Sequence, residues 1–206
     1  MKSSDHQFIC QFLLRKSVQE LAPLLEGPIL DVGCGSRPYD EYFDKIKKLN
    51  CDLDWRRGAL DVICKATPLP LAQNSFLSIL CTEVLEHVPD PHTVMKDFFR
   101  ILQPRGRLLI SAPAWWPPHE LPFDFYRYPE RGFRFLVESN GFRILRFLPR
   151  GGLYALLGQL VVLMMPQYFP SRFQRSFWNM LWLKVDSWRQ NYGISLGWTC
   201  LAEKIV

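Results

Sequence analysis

A turn with two glycines directly follows a short apolar segment near the start of the chain. Ile29 and Leu30 lead into Asp31, and the chain then passes through Gly33 and Gly35. In a doubly wound parallel sheet the first strand turns into the next element at such a point, and a side chain there would keep a ligand away from the backbone. The turn therefore predicts the end of a buried strand beside a binding site for a nucleotide or nucleoside.

The remainder of the chain alternates strand-like and helix-like segments. A helix over residues 8–25 is predicted to precede a strand at 28–32, and the region 39–47 is predicted to be a helix or a loop. Further strands are expected at 48–53, 76–81, 107–111, 142–148 and 197–206, with helices at 92–102 and 130–140 and a loop leading into 68–70. The alternation predicts an α/β fold with a Rossmann-like, doubly wound, mostly parallel sheet.

Two segments depart from this alternation. Residues 112–129, APAWWPPHELPFDFYRYP, hold too many prolines for regular structure and are too apolar for a solvated linker, which predicts an ordered loop beside the site. Residues 153–190 carry two helical stretches ahead of the last strand. Their apolar faces are expected to pack within the domain, to pair two subunits as a homodimer, or to lie on a membrane surface, and these alternatives stay open.

Length and composition predict a single domain. A chain of 206 residues with 48% apolar content can bury one good core. Its expected parts are an N-terminal helix over 1–27, a core over 28–150, a helical insertion over 151–192 and a closing strand over 193–206. The net charge of +5 comes from scattered side chains, so no nucleic-acid partner is expected.

The N-terminal segment and the cysteines favour a cytoplasmic protein. The first residues lack the apolar core of a signal peptide, and the longest apolar run, 153–165, is shorter than the roughly 20 residues of a spanning helix. The 6 cysteines form no CxxC pair, which is typical of a reduced interior. Peripheral membrane contact through the helical insertion is the alternative to a purely cytoplasmic location.

Residues around the glycine turn limit what it binds. A dinucleotide fingerprint would place its third glycine where this chain has Pro38, and no Gly-Lys-Ser/Thr sequence of a P-loop follows. Asp31 lies two positions before the first glycine, and Asp52 and Asp54 end the second predicted strand. Carboxylates in these places suit the amine and the ribose hydroxyls of a nucleoside that bears an amino acid. A strand-to-helix turn with solvent-facing acids is the alternative.

Several further motifs follow the turn in order: CDLDW, LCTEVLEHVPDP, ILQPRGRLLISAP and HELPFDFYRYP. Together with ILDVGCGSRPY they resemble class I S-adenosylmethionine-dependent methyltransferases over residues 27–150, and the LEH and H-x-x-P-x-D-x-x-R motifs resemble a small bacterial subgroup. The resemblance implies a Rossmann-like fold closed by an antiparallel strand, and S-adenosylmethionine as cofactor. With it we expect methyl transfer to a small-molecule or lipid-linked acceptor.

The resemblance assigns cofactor contacts to residues of this chain. Those expected at the methionine end are Asp31, Gly33, Cys34 and Gly35. Those expected at the ribose and the sulfonium are Asp52, with Asp54 as its substitute, and Thr82 and Glu83. The Ala66 backbone N–H is expected to contact adenine, because the family's acidic residue is replaced here by Lys65. Glu86 and His87 are expected to open the following helix, either near the pocket or as packing at its N-terminus.

Three departures from the family pattern support a different function. They are Lys65, Leu77 and Arg105, which replace an acid, an aspartate and a glycine of the family. With these changes the chain is alternatively a catalytically silent binding or scaffold protein with the same fold.

The proline-rich loop carries the residues expected to act on the acceptor. His119 and Asp124 are predicted as catalytic residues, because a hydroxyl or protonated amine needs a base, and Asp124 alternatively orients His119. The expected substrate contacts are Trp115, Trp116, Tyr126 and Arg127, with packing and an internal ion pair as the alternatives. No metal site is expected, because the histidines at 6, 87, 92 and 119 have no paired spacing with other ligands.

Overall fold

The computed structural model of the chain describes residues 2–54, 60–164, 171–188 and 193–205. The chain divides into two compact units. The helical unit comprises Met1–Ser17 and Pro149–Gly197, and the sheet unit comprises Val18–Leu148 and Trp198–Val206. The single domain expected from the chain length stays a prediction.

A single sheet organises the sheet unit. Its strands are β1 (Ile29–Val32), β2 (Lys48–Asp52), β3 (Val62–Ile63), β4 (Phe76–Thr82), β5 (Leu102–Pro113), β6 (Phe142–Pro149) and β7 (Gly197–Lys204). Among the described residues the sheet has 7 strands in the order β3-β2-β1-β4-β5-β7-β6. The first five in that order run parallel, and an antiparallel strand closes the sheet. The predicted Rossmann-like fold is confirmed.

β1 lies between β2 and β4, and its three apolar side chains are suited to burial in the centre of a sheet. Ile29 and Leu30 are 0% exposed and Val32 is 1% exposed, as expected for a central strand of a parallel sheet. Val32 is paired with Cys51 of β2 on one side and Cys81 of β4 on the other. The carboxyl ends of three neighbouring strands therefore meet next to the glycine turn.

The helices are α1 (Phe8–Leu21), α2 (Pro91–Ile101), α3 (Glu130–Glu138), α4 (Leu153–Met164) and α5 (Arg172–Trp188). Short 3₁₀ turns cover Ala22–Leu24, Asp40–Tyr42 and Leu85–His87. The start of α2 is fixed by Asp90, whose Oδ1 accepts the backbone N–H of Thr93 at 3.2 Å, and by the proline at position 91. From there its buried side chains repeat at helical spacing and cover the sheet.

Two parts of the predicted strand pattern are wrong. The loop expected after β2 contains β3, a strand of 2 residues. The helix predicted to 102 and the strand predicted from 107 leave a break at Pro104 and Gly106, but both residues lie inside β5: Phe76 is paired with Leu102, and Ser78 is paired with Arg107. The intervening residues therefore bulge from the strand, and Arg105 adopts a φ of 64°. A bulge keeps both flanking segments in one ladder, so turn-forming residues do not end the strand here.

The helical unit contains α4 and α5, which confirm the two helical stretches expected before the last strand. They pack closely at Gly158, where an added Cβ would lie 2.3 Å from Cγ of Trp182. Among the helices that the structure describes, none is both long and apolar enough to cross a membrane.

Candidate active site

The glycine turn after β1 has a backbone that requires glycine. Gly33 adopts a φ of +68°, and an added Cβ would lie 2.3 Å from Cγ2 of Val84. Its N–H donates to the Cys51 carbonyl at 2.9 Å, which fixes the turn against β2. Gly35 adopts a φ of +53°, but no heavy atom lies within 4 Å of an added Cβ. Gly33 is thus held by its neighbours, while Gly35 borders open space that a ligand can occupy.

Asp52, the last residue of β2, connects that strand to the glycine turn. Its Oδ2 accepts the N–H of Gly35 at 2.8 Å, and its Oδ1 accepts the N–H of Asp54 at 2.9 Å. Each carboxylate oxygen has two lone pairs, so both retain capacity for a hydroxyl donor. Asp54 takes part in this contact through its backbone. The position at the strand end therefore belongs to Asp52, the first of the two acids considered for the ribose.

Asp31 already has a cationic partner in the chain. Its Oδ2 lies 2.9 Å from Nζ of Lys48, and the two side chains are 3% and 7% exposed. Lys48 also pairs with Asp40. Burial raises the pKa of the Asp31 carboxyl, and the Lys48 ammonium acts in the opposite direction. The expected contact between Asp31 and a cofactor amine stays a prediction. The ion pair between Asp31 and Lys48 was not predicted from the sequence.

The residue after β4 has a strained backbone. Glu83 adopts a φ of 53°, which is uncommon for a residue with a side chain. Ser111 of β5 holds it, since the serine Oγ donates to Oε1 of Glu83 at 2.8 Å and its carbonyl accepts the Glu83 N–H at 3.3 Å. Thr82, half-buried, precedes it as the last residue of β4. Strain of this kind concentrates at functional sites. Here it lies at the carboxyl ends of the strands, where the family resemblance predicts the sulfonium.

Two further residues of the expected cofactor site, Cys34 and Ala66, have simpler surroundings. Cys34 is buried, and burial raises the pKa of its thiol to about 12, so it is neutral at pH 7. Ala66 is half-buried and packs against the core of the sheet unit. Lys65, which replaces the family's acid, is exposed. The expected adenine contact of the Ala66 N–H stays a prediction.

The loop between β5 and α3 is ordered around Arg127. Residues 114–129 contain no helix or strand. The Arg127 guanidinium forms a bidentate ion pair with Asp124, at 2.6 Å from Oδ1 and 2.9 Å from Oδ2. It also donates to the carbonyls of Trp116 at 2.8 Å and Pro117 at 3.0 Å. The arginine is therefore the internal clamp that the sequence offered as the alternative to a substrate contact.

Asp124 is held as an anion by that clamp. Its side chain is 5% exposed, and the hydrogen bonds from Arg127 hold the pKa of its carboxyl well below the usual range. Its Oδ2 accepts the backbone N–H of His119 at 3.0 Å, while the His119 ring Nδ1 lies 3.7 Å away. Asp124 thus positions His119 through the backbone. A carboxylate with so low a proton affinity is poorly suited to act as a base.

His119 lies beside a second imidazole that sequence spacing did not reveal. The rings of His119 and His87 are 4.6 Å apart and nearly perpendicular. Burial, followed by the charge of His87, lowers the pKa of His119, so its ring is neutral at pH 7. His87 Nδ1 lies 2.6 Å from the carbonyl oxygen of Phe123. Because that oxygen can only accept, Nδ1 carries the hydrogen and the lone pair of a neutral His87 is at Nε2.

Glu86 completes this cluster. It is 1% exposed, and its Oε1 lies 3.9 Å from Nε2 of His87. Glu86 and His87 belong to the 3₁₀ turn Leu85–His87, and α2 begins only at Pro91, so the expectation that they open the following helix is wrong. One ligand atom from each of Glu86, His87 and His119 lies within 4.8 Å of the others. Such a set could hold a divalent cation, which spacing along the chain could not indicate.

The aromatic residues of the loop are only partly available. Trp115 and Trp116 are half-buried. Tyr126 is 38% exposed and donates its hydroxyl to the Pro89 carbonyl at 2.8 Å. Tyr128, buried behind it, donates to the Leu85 carbonyl at 3.1 Å. These bonds attach the loop to the 3₁₀ turn Leu85–His87 and to the residues between it and α2. The substrate contacts expected of Trp115, Trp116 and Tyr126 stay predictions.

Comparison with known families now identifies the central part of the sheet unit. Residues 30–110 match the family described as a methyltransferase domain. Over these residues, which are less than half of the chain, the protein is similar to a methyltransferase domain. The glycine turn, Asp52, Glu83 and the 3₁₀ turn all fall inside it, and the family depends on S-adenosylmethionine. The finer resemblance to a small bacterial subgroup stays a prediction.

Individual relatives match only part of this chain. The ubiquinone biosynthesis O-methyltransferase of Xylella fastidiosa is 29% identical over 116 residues, which cover 46% of this chain and 45% of the relative. The chain therefore spans less than half of that curated relative.

Solved structures show the fold over a longer range. The cyclase SpnF superposes with a TM-score of 0.63 at 17% identity, covering 94% of this chain and 80% of that structure. The 1,6-didemethyltoxoflavin-N1-methyltransferase of Burkholderia thailandensis, solved with bound 1,6-didemethyltoxoflavin and S-adenosylhomocysteine, gives a TM-score of 0.59 at 16% identity, covering 94% of this chain and 77% of that structure. At such identities the likeness concerns the fold alone, and not the chemistry.

Proposed function

We propose that this chain transfers a methyl group from S-adenosylmethionine to the oxygen of a small-molecule or lipid-linked acceptor. The observation that carries the proposal is the open space at Gly35 beside the Asp52 carboxylate, within a methyltransferase domain. The name of the Xylella fastidiosa relative, an O-methyltransferase of ubiquinone biosynthesis, favours oxygen as the methyl acceptor.

The residues at the carboxyl ends of β1, β2 and β4 fit the cofactor. The bare backbone of Gly33 and Gly35 would face its methionine part, and the spare lone pairs of Asp52 would accept from the ribose hydroxyls. Glu83, fixed by Ser111, would border the sulfonium. When bound, S-adenosylmethionine supplies a methyl group on an already activated leaving group, so the protein's main tasks are alignment and exclusion of water.

Proton removal from the acceptor hydroxyl falls to the paired imidazoles. Nε2 of His87 carries a lone pair and can take this proton. Because His119 is neutral, it places no second positive charge beside the imidazolium. The imidazolium formed would lie beside Glu86 and Glu120, whose carboxylate oxygens are each 3.9 Å from Nε2. Asp124 and Arg127 act as positioning residues, because they set the backbone of His119.

A binding or scaffold protein without methyl transfer is the second candidate. One observation favours it: the Lys48 ammonium is paired with Asp31, the carboxylate expected to receive the cofactor's amine. The substitutions at Lys65, Leu77 and Arg105 point the same way. On this hypothesis the methyltransferase fold is retained while cofactor binding is weak or lost.

Calorimetry and a transfer assay separate the two candidates. We expect S-adenosylmethionine and S-adenosylhomocysteine to bind the purified chain, and label from methyl-labelled cofactor to appear in a phenolic or lipid fraction of a cell extract. Weak or absent binding by a folded chain, together with no transfer to any fraction of small molecules, lipids, protein or RNA, would support the scaffold. A folded chain that binds neither compound would refute the cofactor assignment itself.

A further inference from the structure

The outward face of α5 is apolar. Phe173 is 81% exposed, Trp188 is 74% exposed, and Phe177 and Met180 are each more than half exposed. Counted from Phe173, the four residues and Lys184 lie at positions i, i+4, i+7, i+11 and i+15, which form one stripe along a helix. Helices of globular proteins ordinarily bury such a stripe. Large aromatic side chains at this spacing, left exposed, indicate an interaction surface.

The opposite face of α5 is polar and holds the N-terminal segment. Asn179, which is 0% exposed, donates from Nδ2 to the carbonyls of Ser3 at 2.8 Å and Asp5 at 3.1 Å. Arg175 donates from Nε to the carbonyl of Ser4 at 3.0 Å. These bonds fix the rotation of the helix, because turning its apolar stripe inward would break them and leave buried polar groups unpaired.

Asp186 continues the same buried polar face. Its Oδ1 accepts the N–H groups of Gly152 at 3.1 Å and Ala155 at 3.0 Å, at the start of α4. Asp186 is the single acidic residue of α5, and it is 6% exposed. The exposed charges of this helix are therefore basic: Arg172 and Lys184.

α4 also has a buried polar side chain and exposed apolar side chains. Gln159 is 0% exposed: its Oε1 accepts the Cys10 N–H at 3.0 Å and its Nε2 donates to the His6 carbonyl at 2.6 Å. Leu157 and Met164 are exposed instead, at 39% and 70%. Each of these two helices thus buries a polar side chain that bonds the N-terminal segment, while large apolar side chains remain exposed on it.

Basic side chains outnumber acidic ones in the described part of the helical unit. A cavity of about 510 Å³ in the helical unit is lined by basic groups that include Lys2, His6, Arg172 and Arg175. Asp5 also lines it, and its carboxylate accepts the backbone N–H of Lys2 at 3.0 Å. Among the described residues of this unit the acids are Asp5 and Asp186, against Lys2, Arg15, Lys16, Arg150, Arg172, Arg175 and Lys184.

We propose that the helical unit docks on the surface of a bilayer that contains anionic phospholipid, with α5 lying in the interface plane. Phe173, Phe177 and Met180 would enter the boundary of the acyl chains, while Arg172 and Lys184 meet the phosphates. Lys184 extends its ammonium to 5.4 Å from the Trp188 ring, as a lysine does when its stem follows an apolar surface. A second copy of this chain fits less well, because its stripe would bring the same basic charges together.

Vesicle flotation with the full chain tests this surface. We expect the protein to float with vesicles of 70% phosphatidylcholine and 30% phosphatidylglycerol, and to bind pure phosphatidylcholine at least tenfold more weakly. The double variant Phe173→Ser and Phe177→Ser should lower binding about tenfold or more. Arg172→Gln with Lys184→Gln should reduce the preference for the anionic lipid. The binding needs no cofactor, so its outcome is independent of the proposed methyl transfer.

A matched control is Phe135→Ser, since Phe135 is 65% exposed on α3 of the other unit, and this change should leave flotation unaltered. Circular dichroism of each variant verifies that it is folded. Absence of flotation by the parent protein, equal loss in the control, or unchanged binding by the folded double variant would each overturn the proposal. A concentration-dependent dimer that the double variant abolishes, with no vesicle binding, would assign the stripe to a second copy instead.

Discussion

The Asp52 carboxylate accepts the backbone N–H of Gly35 at 2.8 Å, and so joins the end of β2 to the turn that follows β1. The same carboxylate accepts the N–H of Asp54 at 2.9 Å. Two backbone donors therefore orient this side chain before any ligand arrives. A carboxylate fixed in this way binds hydroxyl groups without first losing the freedom of its own rotamers.

Asp52→Ala should weaken S-adenosylmethionine binding by a factor of about 10 to 100. A hydrogen bond to a charged group contributes about 1.5–3 kcal/mol, and about 1.4 kcal/mol corresponds to tenfold in affinity. Isothermal titration calorimetry measures the change. Asp44→Ala, a change of the same type at an exposed position, should have no effect. Equal affinity in the parent chain and in Asp52→Ala would show that the ribose binds elsewhere.

Gly33→Ala and Gly35→Ala should have different effects although both glycines have positive φ. At Gly33 the added Cβ meets Val84 at 2.3 Å, while at Gly35 it meets nothing within 4 Å. We expect Gly33→Ala to reduce the free energy of unfolding by about 1–3 kcal/mol more than Gly35→Ala. Urea denaturation measures this difference. Gly35→Ala should instead lower cofactor affinity, because the methyl group enters the open space.

The test of this pair is the combination of Gly33→Ala with Val84→Ala, which removes the clash. The double variant should regain part of the stability that Gly33→Ala loses. If both glycine variants lose the same free energy of unfolding, the strain of a positive φ accounts for the loss and the contact with Val84 does not.

Arg127→Ala should destabilise the loop of residues 114–129. It leaves the carbonyls of Trp116 and Pro117 without their donor, at a cost of about 1–3 kcal/mol for each one that stays buried. Urea denaturation at pH 7 and limited proteolysis measure the effect. Arg131→Ala, an exposed arginine at the start of α3, is the matched control and should change neither.

The effect of Arg127 should also depend on pH. Its hydrogen bonds lower the pKa of Asp124 in the folded protein, so the unfolded chain binds a proton here more readily. The stability from this ion pair is present above the unfolded pKa of about 4 and is lost as pH falls below it. The difference between the parent and Arg127→Ala should therefore shrink between pH 6 and pH 3. A constant difference would mean that Asp124 is not its charged partner.

His87→Gln and His119→Gln should each lower the rate of methyl transfer, by a factor of about 10² to 10⁴ for the residue that takes the proton. Since burial and His87 lower the pKa of His119, its neutral form persists below pH 6.5. If His119 rather than the proposed His87 takes the proton, the rate should rise with pH with a midpoint below pH 6.5. His92→Gln, at an exposed position on α2, should keep the parent rate and pH profile.

The fold could be predicted because its signals are local. Continuous apolar segments specify β1 and β4, apolar residues at helical spacing specify α2, and glycines mark the turn after β1. β3 was missed because a strand of 2 residues has no periodicity to detect. The bulge in β5 was missed because proline and glycine indicate a change of direction without showing whether pairing resumes.

The chemistry of the site was harder to predict because its groups meet from distant positions. His87 and His119 are brought together by the fold, and the partners of Arg127 are largely carbonyls, which every residue has. Lys48 reaches Asp31 from the neighbouring strand. The helical pattern of α5 was visible, but the burial of its polar face depends on backbone groups of residues 3–5. Patterns of residue type do not record such partners.

The convergence of the loop on one guanidinium affects how that loop can open. Asp124, Trp116, Pro117 and Tyr126 all accept hydrogen bonds from Arg127. These contacts cannot be released one after another from separate anchors, because withdrawal of a single side chain breaks them together. The loop of residues 114–129, which carries His119, should therefore exchange its amide protons as one cooperative block, closed or open as a whole.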